Sequence, residues 1–176
     1  MRVIAGSVKG RKLISPDSDA IRPTADRAKE NLFNILSDIN GTKFLDLFSG
    51  TGAIGIEALS RGASRAVFAD VLSADLIKKN LKLTRFENLA KVISADYITA
   101  LRRLKNEQFD IIFMDPPYNC GLVPLAAKII LEYDLLKQSG LMVAEVSSKE
   151  YICIPGFKLY NTRKYGAAAF LFLERE

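Results

Sequence analysis

Histidine and tryptophan are both absent from this chain of 176 residues, and cysteine occurs only twice, as Cys120 and Cys153. Without histidine there is no Ser-His-Asp or Cys-His machinery, and most transition-metal sites lose their commonest ligand. Two cysteines cannot build a disulfide framework, so a reducing, cytoplasmic setting is expected. No apolar run approaches the roughly 18 residues of a membrane-spanning helix. The start "MRVIAGSVKGRKL" sets a short apolar piece before its cations, unlike a secretory signal. Neither a membrane nor a metal is therefore expected as a partner. Any chemistry must rest on carboxylates, tyrosine, backbone groups or an organic cofactor.

A hydrophobic content of 49% with 26% charged residues describes a soluble domain large enough to bury a core without covalent staples. The net charge of +5 permits a polyanionic partner without demanding one. After residue 40, short apolar runs alternate with helical patterns, the sign of a parallel sheet covered on both faces. Strands are expected at 43–48, 66–70, 91–96, 110–115 and 141–146, with helices at 53–61, 73–86 and 122–137. The final stretch offers two strand-like runs joined near Gly166, with room only for a hairpin. Ahead of this, residues 1–14 suggest a small β-hairpin turning near Gly6 or Gly10. Residues 24–39 suggest an amphipathic helix with Thr24 as N-cap, Ala28, Leu32, Ile35, Leu36 and Ile39 on one face, and Gly41 as its stop. The expected division is a basic hairpin extension over 1–20 and a main domain over 21–176.

Two segments carry chemistry. In "DLFSGTGAIG", Gly50, Gly52 and Gly55 form a G-x-G-x-x-G pattern between a strand and a helix, where backbone N–H groups and the helix dipole meet a ligand. Asp46 lies near the end of the first strand, while Asp70, Asp96 and Asp115 each close one. Acids at strand ends also serve as helix N-caps, but ligands of open α/β sheets bind beyond the carboxyl ends of the strands. Four such acids beside a glycine loop point to a nucleoside-containing cofactor. An acid-rich crevice lacking nearby Lys or Arg suits a cation better than a pyrophosphate, which favours S-adenosylmethionine (SAM) over a dinucleotide.

The second segment is "FDIIFMDPPYNC". An ionised Asp115 only accepts hydrogen bonds, and Pro116 and Pro117 offer carbonyls without N–H groups. With the flat ring of Tyr118 beside them, they suit a planar molecule bearing an NH2 group. Asp115 and Pro116 are the expected acceptors for its two N–H bonds, and Tyr118 is the expected stacking platform. Cys120 lacks an activating partner and is read as a packing residue, which excludes cytosine-C5 chemistry.

These residues resemble the bacterial 16S ribosomal RNA guanine-N2 methyltransferase family, among SAM-dependent methyltransferases with an Asp/Asn-Pro-Pro-Tyr/Phe motif. The resemblance runs through "RVIAGSVKGRKL", "RPTADRAKENLFNIL", "DLFSGTGAIGIEALSRGA", Asn80, "FDIIFMDPPY" and "YG". It implies a Rossmann-like α/β fold of class I SAM-dependent methyltransferases: a seven-stranded, mostly parallel sheet with an antiparallel last strand. It also implies a cofactor set of Asp46, Phe48, Gly50, Thr51, Gly52, Gly55, Asp70, Asp96 and Tyr97. Asp70 stands where a glutamate is usual, and Ala167 where a polar residue is common. The implied partner is 16S rRNA, within an assembled small-subunit particle, met by a monomeric enzyme. Arg2, Lys9, Arg11, Lys12, Arg22, Arg27, Arg163 and Lys164 are the expected phosphate-binding cations. An adenine-N6 methyltransferase acting on DNA or RNA, a dinucleotide-dependent oxidoreductase and a non-catalytic RNA-binding assembly factor are the competing readings.

Overall fold

The computed structural model describes residues 1–16 and 23–176; Arg22 lies outside the described residues. The helices are α1 (Pro23–Leu36), α2 (Ala53–Ser60), α3 (Ala74–Thr84), α4 (Tyr97–Arg103) and α5 (Leu122–Glu132). The strands are β1 (Lys43–Leu47), β2 (Arg65–Asp70), β3 (Ala90–Ser94), β4 (Phe109–Met114), β5 (Leu136–Ser147), β6 (Phe157–Tyr165) and β7 (Ala168–Arg175). They form one seven-stranded sheet in the order β3-β2-β1-β4-β5-β7-β6. Strands β1 to β5 are mutually parallel, and β7 runs antiparallel to both β5 and β6. This is the Rossmann-like class I methyltransferase fold the sequence implied.

Continuous apolar strands follow from cover on both faces. One face packs Leu45, Val67, Ile112 and Met142 against α4 and α5, through Leu101, Leu104, Ala126 and Ile130. The other packs Phe44, Phe68, Phe113 and Val143 against α1, α2 and α3, through Leu32, Phe33, Ile56 and Ile77. Strand order reverses at β1, whose neighbours are β2 and β4. The loops after these strands therefore diverge and leave a crevice at the carboxyl edge.

Three boundaries differ from expectation. Helix α1 ends at Leu36 because Ser37 turns into a left-handed conformation (φ 54°), so Ile39 is buried but off the helix. The helix also starts at Pro23, which suits a first helical position and places Thr24 inside the first turn instead of at the cap. Helix α5 ends at Glu132, where Asp134 (φ 52°) reverses the chain and frees Leu136 to open β5. The sequence pattern marked no helix between the third and fourth strands, where α4 lies.

The N-terminal hairpin makes a single antiparallel bridge, Arg2 to Lys12, with Val3 and Arg11 hydrogen-bonded beside it. Its turn is fastened to the end of α2. Ser7 N–H donates to the Ser60 carbonyl, and a side-chain carbon at Gly6 (φ 83°) would fall 1.8 Å from that oxygen. Val3 and Leu13 join the core on the α1–α2 face.

Candidate active site at the carboxyl edge

Two adjoining hollows open at the strand ends and share Phe48 and Asp115. One, of about 340 Å³, is lined among others by Asp46, Gly50, Thr51, Asp115, Glu145 and Phe170. The second, of about 280 Å³, is lined by Asp70, Asp96, Tyr97 and Pro117. Phe48 and Tyr97 set their rings 5.6 Å apart along its wall.

The glycine loop takes its shape from backbone conformations only glycine adopts freely. Gly50 and Gly52 have φ of 51° and 77°, and a side chain at Gly55 would strike the Phe68 ring at 2.3 Å. Asp46 is buried beneath this loop and accepts the Gly55 N–H at 2.9 Å. Burial, and next the Asp115 and Asp70 carboxylates, push its pKa well above the usual range despite that bond. Asp70 accepts from Gly50, Leu72 and Ser73 N–H groups at 2.8–3.0 Å. A carboxylate has about four acceptor positions, so roughly one stays open to a ligand. Asp96 caps α4 through Thr99 N–H and Oγ1, bonds that hold its pKa low.

Asp115 continues β4 and opens onto both hollows. Its surface is water-accessible, yet protein walls surround it, so desolvation first and the Glu145 carboxylate second push its pKa to about 7. The expectation of a fully ionised, acceptor-only Asp115 is thus corrected: near neutrality it carries a proton part of the time. Pro116 is buried. The Tyr118 ring is exposed, and its hydroxyl donates to Glu145 Oε1 at 2.7 Å. Desolvation and that bond hold the phenol protonated well beyond its ordinary range.

Several lining residues escaped the sequence reading. Glu145 lies on β5 beside Asp115, because Ala144 pairs with Met114 in the strand before each. Its signal was present: a lone acid inside the apolar run "LMVAEV". Its pKa is raised by burial. Met1, Asp26 and Lys29 reach the first hollow from the hairpin and α1. Lys29 overturns the expectation of a crevice without nearby cations. Its charge is committed elsewhere, to the Arg2 carbonyl at 2.6 Å and to Glu57 at 3.5 Å, and burial lowers its pKa. Buried Asn80 ties the hairpin to the glycine loop, donating to Ile14 and Thr51 carbonyls and accepting the Ile14 N–H. Cys120 is exposed, so its reading as a packing residue fails.

The basic residues spread over two regions. Ile14 and Met1 lie at the crevice end of α2, whereas the hairpin turn lies at its far end, about 12 Å along an eight-residue helix. Arg2 and Lys12 stand mid-hairpin, with Lys9 and Arg11 toward the turn; all four are exposed, and Arg2 pairs with Asp26 at 3.2 Å. Arg27 is exposed on α1. The β6–β7 tip lies at the carboxyl edge, since Ala168 pairs with Ser147. Arg163 and Lys164 part company there. Arg163 pairs with Phe170 and so shares its face, while Lys164 lines a hollow on the opposite face under residues 147–156. Among the described residues no acid or cysteine cluster could hold a metal ion, and no helix is long and apolar enough to cross a membrane.

The family described as conserved hypothetical protein 95 matches residues 1–174. The chain is 36% identical over 160 residues to ribosomal RNA small subunit methyltransferase D of Haemophilus influenzae, spanning 88% of this chain and 83% of that one. It is 39% identical over 150 residues to putative rRNA methyltransferase YlbH of Bacillus subtilis, spanning 82% of each. Putative methyltransferase yhhF from Escherichia coli has the same fold, with a TM-score of 0.88 at 32% identity, over 100% of this chain and 98% of that one.

Proposed function

Since the chain belongs to the ribosomal RNA small subunit methyltransferase D family, we propose that it methylates the N2 amino group of a guanine in 16S rRNA with SAM as donor. In this reading it acts as a cytoplasmic monomer on an assembled small-subunit particle.

The residues present fit SAM. Burial first, then the Asp115 and Asp70 carboxylates, raise the proton affinity of Asp46 in the first hollow, and the lining Lys29 is already bound to Glu57. Such a cluster favours a cationic ligand. The second hollow supplies aromatic walls and carboxylates for a nucleoside. Asp70, Asp96, Phe48 and Tyr97 would hold the adenosine part, and Asp46, Gly50, Thr51, Gly52 and Gly55 the amino-acid part. Bound there, SAM supplies an electrophilic methyl group on a sulfonium.

The chain's own residues do the rest. An exocyclic amine is a poor nucleophile because its lone pair is delocalised into the base. The Asp115 carboxylate and the Pro116 carbonyl each accept one of its N–H bonds, which draws the nitrogen toward a pyramidal geometry and frees the pair. Fixing this orientation removes about 7–11 kcal/mol of barrier in favourable cases. Asp115 opposes the positive charge growing on nitrogen and, with a pKa near neutrality, takes the released proton on its carboxylate. Tyr118, held by Glu145, presents its exposed ring to the base, and stacking returns about 1–3 kcal/mol of the extrusion cost.

The observation that supports this reading best is the convergence of the DPPY acceptors and the glycine loop on one crevice. Mass spectrometry of nucleosides from 16S rRNA of a deletion strain tests it. Loss of one N2-methylguanosine, restored by the wild-type gene, is expected; an unchanged nucleoside profile would refute the assignment.

A further inference from the structure

The methylated amine is only one group on the edge of a base. Guanine presents N1–H and N2–H2 side by side, two adjacent donor groups, whereas adenine presents an N1 lone pair beside its N6 amine. An enzyme that extrudes a base reads that edge by hydrogen bonds. Asp115 and Pro116 account for the two hydrogens of the amine and leave the neighbouring ring nitrogen unread.

Glu145 is placed to meet it. It follows Ala144 on β5 as Asp115 follows Met114 on β4, in register, and both carboxylates line the same hollow. Phe113 and Phe170 form apolar wall around them, so a polar edge docked there depends on these carboxylates for its partners. The Tyr118 hydroxyl donates to Glu145 Oε1, which holds the side chain and leaves the second oxygen available as an acceptor. A carboxylate so held accepts from N1–H of guanine and repels the N1 lone pair of adenine.

We propose that Glu145 is the specificity-determining residue that selects guanine by accepting its N1–H, with Tyr118 setting its orientation. The inference rests on guanine N2 being the methylated group. It also explains the lone acid of the apolar run "LMVAEV" near the carboxyl end of β5.

The test substitutes the target nucleotide. 2-Aminopurine keeps the N2 amine but has a lone pair at N1. Reconstituted small-subunit particles, carrying either guanosine or 2-aminopurine riboside at the methylated position, are given to the wild type, Glu145→Gln, Glu145→Asp and Tyr118→Phe. The wild type should favour guanosine in single-turnover rate by about 10–100-fold, the range for one hydrogen bond to a charged group. Glu145→Gln should bring the ratio toward unity, because its amide can turn an N–H to the N1 lone pair. Glu145→Asp should keep the preference at a lower rate, and Tyr118→Phe should slow both substrates with a smaller loss of preference. Comparing ratios between variants cancels the effect of the missing O6. A ratio that Glu145→Gln leaves unchanged overturns the role of Glu145, even if both rates fall. A wild type near unity does the same if Glu145→Gln fails to fold. Failure of the wild type to methylate guanosine at all would instead overturn the guanine-N2 function itself.

Discussion

Helix α2 touches two buried carboxylates whose circumstances are opposite. Glu57, at its middle, is fully buried and receives Ile4 N–H at 2.7 Å, Ala5 N–H at 3.0 Å and Arg61 Nε at 2.8 Å, with Lys29 at 3.5 Å. Asp46, under its first turn, receives Gly55 N–H and faces other acids, with its proton affinity driven up. The first acid is satisfied by the protein and holds the hairpin to the domain. The second belongs to a group the protein leaves short of positive charge. Burial alone does not distinguish structure from function; the completeness of a buried charge's partners does.

The comparison breaks first at Glu57. Glu57→Ala strands Lys29 and orphans two N–H groups, so it should destabilise the fold by about 3–5 kcal/mol in denaturant unfolding. An unchanged midpoint would show that the hairpin is held by its apolar packing alone. At the crevice the loss should appear in rate. Asp115→Ala should lower single-turnover methyl transfer by about 10²–10³ while the fold survives. Asp115→Asn, which still accepts through its amide oxygen, should keep part of the activity. If Ala equals wild type, the Asp-Pro-Pro-Tyr loop is only a turn.

Acidity sharpens the contrast further. The Asp115 carboxylate is the form that attracts a cation and accepts an N–H, and its pKa in the free protein is about 7. kcat/KM for SAM should therefore rise with pH through about 7 and level off above it. Because this folded pKa lies above the usual 3.8, stability linked to the group is full below about 4 and lost as pH rises through 7. Asp115→Asn should accordingly melt higher than the wild type at pH 8 and equally at pH 4; a wild type more stable at pH 8 would contradict the raised pKa. The smallest effect belongs to the exposed cations of the hairpin. Neutralising Lys9, Arg11 and Lys12 should reduce the slope of log RNA affinity against log salt by about 0.7–0.9 for each phosphate no longer paired with a cation. SAM affinity should hold, because none of the three lines either crevice hollow. An unaltered slope would place the RNA elsewhere.

The alternation of strands and helices, the glycine loop and the Asp-Pro-Pro-Tyr turn were legible in the sequence because each is a local pattern: a period, a turn chemistry, an acid at the end of an apolar run. Helix ends were less so. Ser37 and Asp134 adopt positive φ that favours glycine, and no residue type announced them. Tertiary structure alone set Glu145 beside Asp115, since their nearness depends on the register of β4 against β5, between residues 30 positions apart. It alone parted Arg163 from Lys164, because neighbours on a strand face opposite sides of the sheet. It alone raised the proton affinity of Asp46 and Asp115 while satisfying Glu57. A sequence shows which groups can carry charge, but their energies follow from distance and solvent exclusion, which arise only when separate segments meet.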